Sequence, residues 1–310
     1  MKPSLLLPVT LLALGACSAQ RLTPEQANLS ATADAHADHE MSGGATHGPA
    51  VPGEAMQQVP GIAPGAADAA TRLAASTRHG EWAMIPTAAG AKDSIAAWVV
   101  YPERRDNAPV VVVVHEIFGL STWVRGVADP LAADGFIAIA PDLLSIERGG
   151  ATTDTIPTAQ ATALIRNVTP DKMNAMVAAV ARYGMALPSA KKTYGIVGYC
   201  WGGSASFNHA VFNAPGLAAA VVYYGASPAD SAIARVRVPV LGLYGGNDQR
   251  VNATIPRADS VMKAIGGTFV SRVYAGAGHG FLRQQADTAN LAAARQAWPE
   301  TVAWFRKYLR

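Results

Sequence analysis

The chain has 310 residues, half of them hydrophobic, with 25 Lys and Arg against 22 Asp and Glu. That length holds one large domain or two small ones. The near-balanced charge, with no basic run interleaved with aromatics, gives no reason to propose nucleic acid as a partner.

Lys2 and the apolar stretch from Leu5 to Leu14 form an export signal too short to span a bilayer comfortably. The signal closes on Leu14-Gly15-Ala16-Cys17, which resembles a bacterial lipobox. Cys17 is therefore expected to be diacylated and to begin the mature chain, tethering it to a membrane facing the periplasm or cell exterior. Acyl chains bury about 0.8 kcal/mol per methylene, so two or three of them anchor firmly.

From residue 18 to 76 the chain is rich in Ala, Gly, Pro, Asp and His, with no lasting period of 2 or 3.6. Such a segment buries too little to offset its ordering entropy, and it reads as a disordered tether. His36, His39, Glu40 and His47 within it could converge on a soft divalent metal. No second shell is evident around them, so a polar tether without a metal site is the expectation.

The folded part is read as residues 77–310. Its apolar runs alternate with helical stretches, which predicts a doubly wound, mostly parallel sheet with helices on both faces. Strands are expected over Glu81 to Pro86, Ser94 to Tyr101 and Val110 to Val114. The last is five valines in succession, as suits a strand buried on both sides. A helix from Thr122 to Asp134, a strand from Phe136 to Ala140 and a long loop from Leu143 to Val168 follow. Pro170 then opens a helix over Asp171 to Leu187. Tyr194 to Gly198 is a strand that runs directly into Cys200, with a helix over Gly202 to Phe212. Later strands are Ala219 to Tyr224, Val238 to Tyr244 and Thr268 to Tyr274, with helices near Ile255 to Ile265 and Asn290 to Leu309.

Chemistry concentrates at Gly198-Tyr199-Cys200-Trp201-Gly202-Gly203. Small residues two before and two after Cys200 permit a sharp strand-to-helix turn that lifts the side chain out of the sheet, a nucleophile elbow with cysteine in the serine position. The following helix aims its N-terminus at the sulfur and favours the thiolate. Only Cys17 and Cys200 exist, and lipidation of the first leaves no intramolecular disulfide, so a thiol at this turn argues for use. An elbow requires an acid and then a histidine, each in a loop after a later strand. Asp248 in Gly245-Gly246-Asn247-Asp248 and His279 in Gly278-His279-Gly280-Phe281 satisfy that order. His115 is a rival base and Asp142 an alternative acid.

These blocks, together with His115-Glu116-Ile117-Phe118-Gly119-Leu120, Ala140-Pro141-Asp142-Leu143 and Tyr223-Tyr224-Gly225, resemble the dienelactone hydrolases from about Glu81 to the C-terminus. The resemblance implies an α/β-hydrolase fold without a cofactor or metal, acting on a small-molecule ester or lactone. It implies Cys200 as nucleophile, Asp248 as acid and His279 as base. It also implies the backbone N–H groups of Trp201 and Ile117 as oxyanion hole and Glu116 as the carboxylate that holds the resting thiol. The family's substrate-binding arginines do not align cleanly, leaving Arg148, Arg166, Arg250 and Arg257 as candidates. Trp123, Arg148 and Phe281 are expected at the pocket. Readings from other classes are a binding module that keeps the fold without turnover and a metal scavenger based on the tether; acyl transfer is a further outcome of the same acyl-enzyme.

Overall fold

A computed structural model describes residues 61–310, apart from residues 105 and 153. The expected signal, Cys17, the tether up to residue 60 and its candidate ligands His36, His39, Glu40 and His47 lie outside the described residues. Eight strands form one sheet: β1 (Gly80–Pro86), β2 (Ser94–Val100), β3 (Ala108–Val114), β4 (Ile137–Pro141), β5 (Ala190–Tyr199), β6 (Leu217–Tyr223), β7 (Val240–Gly245) and β8 (Phe269–Tyr274). Their spatial order is β1-β2-β4-β3-β5-β6-β7-β8. β1 and β2 join antiparallel at one edge and the other six strands run parallel. Every residue of β3 is buried, as its valine run requires.

The helices are α1 (Ala69–Ala75), α2 (Thr122–Ala133), α3 (Ser145–Arg148), α4 (Thr158–Arg166), α5 (Pro170–Ala186), α6 (Trp201–Phe212), α7 (Asp230–Ile233), α8 (Gln249–Asn252), α9 (Ile255–Ala264) and α10 (Thr288–Tyr308). From β3 the chain steps one way to β4 through α2; from β5 it steps the other way to β6 through α6. Right-handed crossovers then place these helices on opposite faces. β3 and β5 are neighbours, with Val114 beside Gly198. The reversal of winding therefore opens a crevice at their carboxyl ends, where ligands bind in doubly wound sheets.

Two expectations are corrected. The segment from Leu143 to Val168 is not one long loop: it carries α3 and α4, and Ala161 and Ile165 of α4 are buried one turn apart. These helices are too short to impose a readable period. The tether also ends earlier than residue 76. Ile62, Ala63 and Ala69 are buried, α1 packs against α2, and Trp123 donates its indole N–H to the Pro64 carbonyl at 2.9 Å. The burial is achieved by small side chains whose composition matches that of the preceding segment. Among the described residues no helix is long and apolar enough to cross a membrane.

Candidate active site

β5 ends at Tyr199, and Cys200 occupies the turn into α6 with φ 56° and ψ −116°. A positive φ is costly for a side chain with a Cβ, and such strain persists only where the surroundings enforce it. Here they do: a Cβ on Gly198 would lie 1.9 Å from the Gly202 carbonyl oxygen, and one on Gly202 would lie 2.3 Å from the His115 carbonyl oxygen. Only glycine admits so close an approach of α6 to β5 and β3. Cys200 is buried and caps α6, where the helix dipole favours negative charge. Trp201, the first helical residue, has an N–H that no carbonyl of its own helix receives.

The loops after β7 and β8 bring Asp248 and His279 together. His279 Nδ1 donates to Asp248 Oδ2 at 2.5 Å. Asp248 is buried, and its other oxygen accepts the Val251 N–H at the start of α8. Burial by itself would raise the Asp248 carboxyl, but the bond and charge of His279, with help from Val251 and Arg250, hold it below its ordinary value. Tyr224 joins this pair to the elbow. Its ring lies edge-on to His279 at 5.1 Å, and its hydroxyl feels the charges of Glu116, Tyr199 and Cys200. Burial, and then those neighbours, push the phenol well above its ordinary range, so it stays neutral beside the thiol. Tyr224 also has φ 38°. Sequence reading noted the Tyr223-Tyr224-Gly225 block without a role for it, and the positive φ has no signature in the residue type.

Glu116 is buried in the turn after β3 and pairs with Arg283 Nε at 3.4 Å. The Arg283 guanidinium also sits 4.9 Å from the centre of the Phe118 ring. Arg283 is thus the arginine beside Glu116, and sequence reasoning missed it. Of the four named candidates, Arg148, Arg166 and Arg257 are exposed, while Arg250 flanks Asp248, half-buried in α8. Arg257 pairs with Asp230, and Arg148 donates to the Ala151 carbonyl. A signal for Arg283 was its place four residues after His279, in the same loop.

Trp123 is buried, its ring edge-on to that of Tyr199 at 5.1 Å. Phe281 is fully buried among Tyr223, Tyr224 and Tyr274, supporting the site from below the surface. Asp142 spends both oxygens on the Leu144 N–H and on the N–H and hydroxyl of Thr152, and is no rival to Asp248. His115 has both ring nitrogens engaged with backbone groups and is no rival base. Ile117 is buried in the same turn as Glu116. Among the described residues no group of three or more His, Cys, Asp or Glu could hold a metal ion.

A doubly wound sheet with a strained turn at the switch point, followed in chain order by a bonded Asp–His pair, defines an α/β-hydrolase. Residues 95–309 match the dienelactone hydrolase family, and the chain belongs to it as an ester- or lactone-directed hydrolase. A candidate carboxymethylenebutenolidase of Escherichia coli K12 is 29% identical over 266 residues, covering 82% of this chain and 97% of that protein. One from Methylorubrum extorquens is 33% identical over 227 residues, 69% of this chain and 77% of its own. The crystal structure of a candidate dienelactone hydrolase from Klebsiella pneumoniae superposes with a TM-score of 0.66 at 28% identity, over 75% of this chain and all of that one. An acylaminoacyl peptidase from Pyrococcus horikoshii, 13% identical with a TM-score of 0.59, shares the fold alone.

Proposed function

We propose that this hydrolase cleaves activated esters or enol lactones through a thioester on Cys200, and that it does so as an exported lipoprotein anchored by Cys17. The observation that carries the mechanism is the 2.5 Å His279–Asp248 bond, with Tyr224 edge-on to His279 and Cys200 on the strained turn at the start of α6. With its proton on Nδ1, His279 has its basic nitrogen at Nε2 and takes the thiol proton. The Cys200 sulfur attacks the carbonyl carbon, and the negative oxygen forms facing the N–H groups of Trp201 and Ile117. Collapse breaks the carbon–oxygen bond, with His279 returning the proton to the leaving oxygen. Water activated by His279 then cleaves the thioester, releasing the acid and restoring the thiol.

Sulfur constrains the substrate. A thiolate, with a reference pKa of about 8.5, leaves far more easily than a simple alkoxide, so attack on an alkyl ester tends to reverse. Enol and phenol oxygens leave without early protonation, which favours enol lactones and aryl esters over amides. Glu116, paired with Arg283, holds the resting thiol until substrate displaces it.

Intact-mass analysis of the full chain recovered from membranes, mixed with p-nitrophenyl acetate or an enol lactone, tests both halves. A product burst with an acyl adduct on Cys200, absent in Cys200→Ala, is expected, on a chain that begins at a lipidated residue 17. Turnover undiminished in Cys200→Ala would sink the thioester mechanism. An unlipidated chain retaining residues 1–16 would sink the anchor.

A further inference from the structure

His115 follows the buried valine strand and is itself fully buried, yet neither ring nitrogen is idle. The Leu143 N–H donates to Nε2 at 3.0 Å, so Nε2 presents its lone pair. The single proton of the neutral ring is then on Nδ1, which donates to the Glu116 carbonyl at 2.6 Å. Burial lowers the imidazole pKa against the opposing charge of Asp142, which agrees with a neutral ring.

The Glu116 carbonyl belongs to the same peptide unit as the Ile117 N–H. In a planar trans peptide the two groups point in opposite directions, and no described peptide bond is cis. A ring that grips the oxygen on one side therefore aims the Ile117 N–H to the other. The Gly119 N–H also reaches the Glu116 carbonyl, at 3.4 Å, a longer and weaker contact. His115 meets the other half of the site as well: the Trp201 ring stacks on it at 5.9 Å, and Gly202 packs on its carbonyl. Behind the ring, the Asp142 bonds to Leu144 and Thr152 fix the loop that supplies Leu143.

We propose that His115 is a positioning residue for acyl transfer: its Nδ1–H holds and polarises the peptide whose Ile117 N–H receives the developing oxyanion. The proposal rests on the thioester reading above. A hydrogen bond to the carbonyl strengthens the amide as a donor, because linked hydrogen bonds polarise one another.

Two substitutions separate the ring's functions. In His115→Asn the amide N–H falls near the Nδ1 position and keeps a donor for Glu116. In His115→Gln the amide falls near Nε2, keeping a partner for Leu143 and leaving Glu116 without its side-chain donor. Two rates on Cys200 are read by intact mass for the full chain: acylation by p-nitrophenyl acetate, which passes through an oxyanion, and alkylation by iodoacetamide, which does not. Loss of a whole oxyanion donor costs about 10²–10³-fold, so the Gln variant is expected to acylate roughly ten- to a hundredfold more slowly. Its alkylation should stay within about twofold of wild type, and the Asn variant should recover most of the acylation rate. Equal acylation in wild type and His115→Gln would overturn the proposal; so would a parallel fall in both rates, or an Asn variant no better than Gln. Should wild type turn substrate over with no adduct on Cys200, the thioester reading falls by itself, and the same Gln–Asn comparison in kcat/KM then decides the role of His115.

Discussion

At the scale of single residues, the His279–Asp248 bond does two things that can be measured apart. Asp248 fixes the His279 proton on Nδ1, and an amide in its place can present its N–H and hold the ring in the wrong tautomer. Asp248→Asn is therefore expected to lower kcat by roughly a hundredfold or more, by analogy with the larger loss at a serine triad. The second effect is on stability. Although buried, Asp248 has a carboxyl held below its ordinary value, mainly by His279. A carboxylate depressed on folding contributes stability above its unfolded pKa, near 3.9, and that contribution is lost as pH falls through the folded value. The asparagine variant should thus lose Tm at neutral pH and show a flatter decline below about pH 4. Thermal scans of both proteins from pH 7 to pH 3 check this. A wild type whose acid decline matches that of the variant would show that the pair contributes no linked stability.

At the scale of elements, a buried relay joins β5, α6 and α5. Tyr194 of β5 donates to His209 Nε2 of α6 at 2.7 Å, and His209 Nδ1 donates to Asn174 of α5 at 2.9 Å. Burial lowers the His209 pKa to about 4. The unfolded chain takes up this proton near pH 6.5 and the folded protein only near 4, so stability falls with pH across that window. The loss amounts to roughly 3 kcal/mol at most. His209→Gln should remove much of this slope, at the cost of a lower Tm at pH 7, and a midpoint series in urea between pH 7 and pH 4 reads it. An unchanged slope would assign the acid sensitivity to other groups.

The same elements explain what could be read from the sequence. Strand positions were legible to within a few residues because β-branched runs such as Val110 to Val114 are buried on both faces and admit no rival pattern. Cys200, Asp248 and His279 were legible because each follows a strand in a glycine-rich turn. Arg283 was not, since its partner Glu116 lies far away along the chain and only the fold brings them to 3.4 Å. Helices α3 and α4 escaped because short elements anchored by a few buried residues leave no period.

At the scale of the whole molecule, residues 61–76 act as a strap across the helix after β3 and the loop that bears Arg283. Hydrogen bonds tie the strap down: Trp123 Nε1 to the Pro64 carbonyl, Gln285 Nε2 to the Ala63 carbonyl, Ala66 N–H to the Arg283 carbonyl, and Ser76 Oγ to the Asp129 carboxylate. Ile62 and Ala69 are buried beneath it. A chain begun at residue 77 loses all of these contacts. It exchanges the indole bond for water, at about 0.5–1.5 kcal/mol, and exposes the apolar surface that Ile62 covers, at about 1.5–3 kcal/mol. For a domain of this size each kcal/mol moves Tm by about 2–4 °C. A chain begun at residue 61 should therefore melt on the order of ten degrees above one begun at residue 77. The loss should also reach the chemistry, because the Arg283 backbone is released and its side chain faces Glu116. Slower acylation of Cys200 by p-nitrophenyl acetate at a temperature where both chains are folded is expected of the shorter one. Equal melting temperatures would mean that the strap rests on the domain without supporting it, and equal acylation that Arg283 is held by Glu116 and Phe118 alone.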